Sequence, residues 1–216
     1  RGILARKRAE RWAAQLLREA RESPLTSNSN QALFAFAHHK TATGEHLDEH
    51  SAAVDFLNVI RPIVAIGRYI CFSAMALHQN PERRQKLKQG TDDDFSHFVQ
   101  EVRRYYPYFP FVAATVKKDF EWRGYAFEKG VTVLLDLFGT NRDPQLWSNP
   151  DIFDPERFKD REEDAYNFIP QGGGTYKAGH RCAGEWITVE TMKSAAKWLV
   201  QSASYTLPAQ DLSVDL

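Results

Sequence analysis

The chain has 216 residues, with 28 Lys+Arg against 28 Asp+Glu and a formal net charge of zero. That balance argues against a general nucleic-acid or membrane-surface binder, which would carry a basic excess. Hydrophobic residues at 43% and aromatics at 12% are enough to build a core, which excludes a disordered chain, and the length fits one large domain or two small ones. Two cysteines, Cys71 and Cys182, cannot make a disulfide framework, so a reducing, cytoplasmic compartment is expected. No uninterrupted apolar run of about 18 residues is present, and no membrane span is expected.

Residues 3–22 have the period of an amphipathic helix, with Trp12, Ala13, Leu16, Leu17 and Ala20 on one face. Ser23-Pro24 stops it, and 25–30 reads as loop. A short helix is predicted over 31–39, with a turn from Thr41 to Gly44. A long helix follows over 46–79, apolar nearly all round from Val54 to Leu77, a pattern that predicts burial. Asn80-Pro81 ends it, and Pro81 opens another helix that closes at Gly90. Asp92, Asp93 and Asp94 suit the start of the next helix, whose period is set by Phe95, Phe98, Val99, Val102 and Tyr106. From 111 to 136 the pattern changes to short strands (111–116, 120–122, 125–127, 131–135) with turns at Gly124 and Gly130. Residues 140–181 read as irregular, a loop long enough to suggest function. A final helix is predicted over 183–203. The fold class expected is mostly α with a small β part. The chain opens at Arg1 with no Met and no capping residue before its first helix, which suggests a cut through a longer protein or a processed terminus.

Five features carry chemistry. Cys182 lies in Gln171-Gly-Gly-Gly-Thr-Tyr-Lys-Ala-Gly-His-Arg-Cys-Ala-Gly184, between a glycine-rich loop and a helix start. Helix N-termini favour thiolate, and glycines there let backbone N–H groups approach a sulfur ligand. The alternative is a loop with an incidental thiol. Gly174 and Gly179 have the spacing of a phosphate cradle, but His180 and Arg181 stand where Lys and Ser or Thr are needed, which rules it out. Glu101 and Arg104, at i and i+3, can face the same way, as surface ion pairs commonly do. His46-Leu-Asp-Glu-His50 matches H-x-x-E-H, in which His46 and His50 would share zinc and Glu49 would act as base. A solvated helix start is the alternative. Arg61-Pro62 sits inside the apolar helix, among Leu57, Asn58, Val64 and Ala65. A charge there is costly unless paired, and Pro62 removes a helical hydrogen bond. Either Arg61 finds an internal carboxylate or it awaits an anionic ligand, which guanidinium binds bidentately.

In this order the segments resemble the cytochrome P-450 superfamily of haem-thiolate enzymes, over almost the whole chain. They are a long buried helix, the E-x-x-R pair Glu101/Arg104, small strands, the meander Asn149-Pro-Asp-Ile-Phe-Asp-Pro-Glu-Arg-Phe158, the cysteine loop and a last helix. The resemblance implies the C-terminal portion of a single cytochrome P-450 domain, about half of one. It implies haem b with iron ligated by Cys182, a haem pocket including His180, Gly173 and Gly184, and a structural triad of Glu101, Arg104 and Arg157. Two departures narrow it. Thr175 and Ala178 stand where the superfamily usually has Phe and Gly, with Phe168 further upstream. Arg61-Pro62 replaces the acid–alcohol pair that relays protons. Both resemble the bacterial fatty-acid peroxygenase branch. That branch implies a long-chain fatty acid held by Arg61, hydrogen peroxide as co-substrate, and hydroxylation at the α or β carbon, or decarboxylation in some relatives. The substrate carboxylate would act as general acid–base, with no obligate redox partner. The competing readings are a reductase-fed monooxygenase, a zinc hydrolase at His46/Glu49/His50, and a fragment inactive alone.

Overall fold

A computed structural model describes residues 2–23, 31–162 and 164–214. The predicted loop over 25–30 lies outside the described residues. The chain divides into one compact unit up to Ala65 and a second from Ile66 onward.

The first unit contains α1 (Gly2–Glu22), α2 (Ala32–His38) and the first half of α3 (Glu49–Gln79). Its core is Ala13, Ala14, Leu17, Ala20, Ala37, Ala52, Ala53 and Phe56. Small side chains let the helices approach closely, and Phe36 meets Phe56 edge-on at 6.0 Å. Arg21 ties the connection down, donating Nε to the Ala37 carbonyl (2.8 Å) and Nη2 to that of Leu47 (3.1 Å).

α3 starts at Glu49, three residues later than its predicted start at His46. Gly44, at φ 83°, turns the chain so that His46 bridges Lys40 as extended backbone. Asp48 then accepts the Ser51 N–H at 3.0 Å and opens the helix. The expected burial of α3 holds near its two ends, at Ala52, Ala53 and Phe56 and again at Tyr69, Phe72, Ala76 and Leu77, but not in the middle, where Val59, Ile63 and Val64 are exposed. By length and hydropathy α3 could cross a membrane, although the sequence contains no unbroken apolar run. Its second half instead packs into the core of the second unit.

That core is built on α5 (Asp92–Tyr105), which follows α4 (Pro81–Leu87). Thr91 and Asp94 form a capping box at the start of α5. Phe95, Phe98, Val99 and Val102 recur every three or four residues, and all are fully buried. They pack with the α3 residues above and with Val189, Met192 and Ala196 of α7 (Glu185–Lys197). A π-helical turn, Trp198–Ser202, continues α7. The predicted strands form two hairpins. β1 (Phe111–Thr115) pairs antiparallel with β4 (Thr132–Asp136), and β2 (Phe120–Trp122) pairs with β3 (Tyr125–Phe127). Arg123 and Gly124, both at positive φ, make the two-residue turn of the inner hairpin. A short α6 (Leu137–Thr140) and a 3-10 turn, Pro155–Phe158, are the regular pieces of the irregular region.

Candidate functional site

Glu101, Arg104 and Arg157 come together as one buried cluster. Glu101 and Arg104 are fully buried on α5, and Arg104 donates Nε and Nη2 to the two Glu101 carboxylate oxygens at 2.7 Å each. This is a buried bidentate pair, not the solvated surface pair that the spacing alone allowed. Arg157, in the 3-10 turn, donates Nε to Glu101 at 3.3 Å, and the Asp154 N–H adds 2.8 Å. Other guanidinium N–H groups donate to backbone carbonyls in the meander and in the chain just before it. Arg104 reaches Asn141, Pro150 and Ile152, and Arg157 reaches Ser148, Asn149 and Ile152. The cluster therefore fixes an irregular segment that has no ladder of its own.

The cysteine loop follows. Gly172 stands at φ 92°, and a Cβ there would lie 1.9 Å from the His180 carbonyl oxygen. Gly174 and Gly179 touch backbone to backbone, with 3.0 Å from a Cβ on Gly174 to the Gly179 Cα. The glycines thus close the loop on itself. A Cβ on Gly173 would meet Ile169 at 2.9 Å, so this predicted cofactor residue packs within its own loop. Phe168 is buried with Trp147 and Phe158, while Thr175 is exposed and accepts the Ala178 N–H at 3.2 Å. His180 is exposed.

Cys182 stands three residues before the start of α7 and two before its N-cap, Gly184. Its N–H donates to the Gln171 carbonyl (3.0 Å), and its own carbonyl accepts the Glu185 N–H (3.2 Å). The thiol is exposed, is free of disulfide, and has no hydrogen-bond partner among the described residues. A Cβ on Gly184 would sit 3.9 Å from the Cys182 Sγ, an ordinary contact, which places this residue beside the sulfur. The positive end of α7 favours negative charge there. Tyr108 stacks on Tyr69 at 4.1 Å. Its hydroxyl pKa is raised by burial, with Arg68 opposing and the charge of Cys182 adding to the rise.

A second buried ion pair escaped the sequence reading. Arg103, next to Arg104 but turned to another side of α5, pairs with Glu185 at the start of α7. Arg181 Nε (2.6 Å) and the Tyr176 hydroxyl (3.1 Å) also donate to that carboxylate. Burial would raise the Glu185 pKa. The Arg181 hydrogen bond and the Arg103 charge outweigh it and hold the pKa below the usual value. The available signal was an acid following Cys-Ala-Gly and a second arginine in the last turn of α5, but spacing could not join residues so far apart.

Arg61 is exposed on α3. It has no hydrogen bond or ion pair among the described residues, so the internal carboxylate partner considered above is not found there. Together with Arg6, Glu10, Val54 and Leu57 it lines a groove of ≈ 540 Å³ within the first unit. Pro62 follows it inside the helix. The zinc pair is not assembled. His46 precedes α3 and its Nδ1 faces the His39 carbonyl at 3.3 Å, whereas Glu49 pairs with Arg18. Among the described residues no three His, Cys, Asp or Glu side chains gather as a metal site.

An exposed thiol at a helix N-terminus, with no hydrogen-bond partner among the described residues, could hold a metal centre through a soft thiolate bond, and haem iron is such a centre. The fold and this loop define a class. The chain matches the family described as Cytochrome P-450 over residues 95–213, and it belongs to that family. Among solved structures it is similar to cytochrome P-450EX alpha with myristic acid, at 48% identity and a TM-score of 0.84 over 98% of this chain and 51% of that one. It is also similar to a variant of cytochrome P-450 OleT in complex with arachidonic acid, at 40% identity and TM-score 0.84 over 98% and 50%. Cytochrome P-450 3A17 of Cavia porcellus is 27% identical over 88% of this chain and 43% of its own length. The chain spans about half the length of the relatives it matches.

Proposed function

We propose that the chain is part of a haem-thiolate peroxygenase that hydroxylates long-chain fatty acids at the α or β carbon. The observation carrying this reading is Arg61, a guanidinium without a partner among the described residues, on an apolar helix. It stands where the resemblance expects a proton-relaying acid and alcohol. The similarity to structures whose descriptions name myristic and arachidonic acids supports the same substrate class. When bound through Cys182, haem b would supply iron-centred cleavage of the peroxide O–O bond and transfer of oxygen to carbon.

The protein's own residues do the rest. Arg61 offers two parallel N–H donors to the fatty-acid carboxylate and orients the chain. The bound carboxylate takes up and returns the peroxide proton as a positioned general acid–base. One peroxide oxygen enters a C–H bond as hydroxyl and the other leaves as water, so no external electrons and no obligate redox partner are needed.

Arg61→Ala should retain haem and lower fatty-acid turnover roughly 100-fold or more, because orientation is lost. Peroxide activity on other substrates should return when a short carboxylic acid is added. Unchanged fatty-acid turnover in the variant would refute the role of Arg61. Turnover with NADPH and a reductase but not with peroxide would refute the peroxygenase reading. Cys182→Ala should lose the red-shifted ferrous carbonyl band of a thiolate-bound haem.

A further inference from the structure

The Glu101 cluster secures the meander, and the hydrogen bonds it makes among the described residues do not reach Gln171 or Cys182. The cysteine loop is held by Arg103, a fully buried side chain with partners on α5, at the start of the loop and at the start of α7. Arg103 donates Nε to the Gln171 Oε1 at 3.1 Å, Nη1 to Gln100 on its own helix, and Nη2 to Glu185. Gln171 begins the loop and Glu185 begins α7, so one guanidinium spans both ends of the loop. Cys182 is bonded through its backbone to these same two residues, by its N–H to Gln171 and by its carbonyl to Glu185. Arg181 and Tyr176 close the cluster from within the loop by donating to the Glu185 carboxylate.

A buried ion pair is a weak source of net stability, because desolvation offsets most of the attraction. What it does supply is a fixed geometry, since a forked donor holds its acceptors in defined directions. We propose that Arg103 is a positioning residue that locks Gln171 and Glu185 and thereby sets the place and direction of the Cys182 sulfur as an iron ligand. This rests on the reading of Cys182 as the haem ligand. Residues that orient a ligand from behind are commonly as important to a metal site as the ligand itself.

The test uses the haem-loaded protein with Arg103→Lys, Arg103→Met and the double variant Arg103→Met/Glu185→Leu. Three quantities are read: the fraction of ferrous carbonyl complex with the thiolate-type band, the haem reduction potential, and the thermal midpoint. Hydrogen exchange of the Cys182 amide in apoprotein gives a readout independent of haem. Arg103→Met should lower the ratio of thiolate-type to thiolate-lost complex by roughly tenfold or more and shift the potential. Arg103→Lys should fall between, because a single ammonium cannot span both ends of the loop. The double variant should regain part of the lost midpoint, since it removes the buried carboxylate that Arg103→Met deprives of a partner, although Arg181 and Tyr176 lose that acceptor. It should not regain the thiolate fraction, and its Cys182 amide should exchange faster than in the wild type. If Arg103→Met proves unfolded, the Lys and double variants decide. A double variant with wild-type midpoint, thiolate fraction and exchange overturns the proposal, as does an unchanged fraction in Arg103→Lys. Absence of the thiolate band from the wild type would instead refute Cys182 as the ligand, and the exchange rates would then decide whether Arg103 orders the loop.

Discussion

Glu101 and Arg104 show how little a residue pair says before its surroundings are known. On sequence they are an i, i+3 pair of a kind usually solvated and worth little. In the structure both are fully buried, and every carboxylate and guanidinium group is used. Removing one member leaves an uncompensated buried charge. Glu101→Gln should therefore cost about 3–5 kcal/mol in denaturant unfolding. A loss under about 1 kcal/mol, the range of a surface pair, would mean that the cluster is solvated in solution. Gly172 is a second case. Its positive φ and its contact with the His180 carbonyl leave no room for a Cβ, so Gly172→Ala should displace the cysteine loop, measurable as loss of the Cys182 thiolate band. The run of three glycines was visible in the sequence. Which of them was pressed against backbone depended on how the loop closed.

Helix boundaries and faces were mostly legible because they are local. The five apolar residues named for α5 are all buried, and its capping box lies where the acidic run predicted a start. α3 starts later than its period predicts because the Gly44 turn and the His46 bridge to Lys40 hold the chain extended before Asp48. Between elements, Asp92 at the head of α5 accepts from Lys193 and Lys197 of α7 at 2.6 Å each. Those hydrogen bonds lower its pKa from 3.8 to about 2. A depressed carboxyl pKa contributes stability that is present above the unfolded value and lost as pH falls through the folded one. The clamp should thus hold between about pH 4 and pH 2, where free carboxylates have already protonated. A carboxyl NMR titration of Asp92 should give a midpoint near 2, and a midpoint near that of a free Asp would show the clamp to be open.

Over the whole molecule, the two units differ in what they bury. Among the described residues, six of the eight in the core of the first unit are alanines, whereas the second buries Tyr69, Phe72, Phe95, Phe98 and Met192. At about 0.8 kcal/mol for each buried methylene, the first core is held by much less apolar area per residue. Amides of α1 and α2 should therefore exchange with solvent faster than those of α5. Equal protection in the two units would refute that ranking.

The order of motifs, the helical periods, the hairpin turn and the placement of Cys182 before a helix could all be read from residues close in sequence. They also carried the likeness to the cytochrome P-450 family. Periodicity reports which face of a helix is apolar, and turn residues report where the chain must bend. Neither reports which distant charge a buried side chain will meet. Arg103 and Glu185 are 82 positions apart, and their pairing exists only because α5 and α7 pack side by side. The same packing makes Glu101 an interior acid rather than a surface one. For Arg61 the apolar neighbours were plain in the sequence, but only the folded chain distinguished an internal ion pair from an exposed guanidinium, because a salt bridge requires a partner within a few ångströms in space, however near or far it lies along the chain.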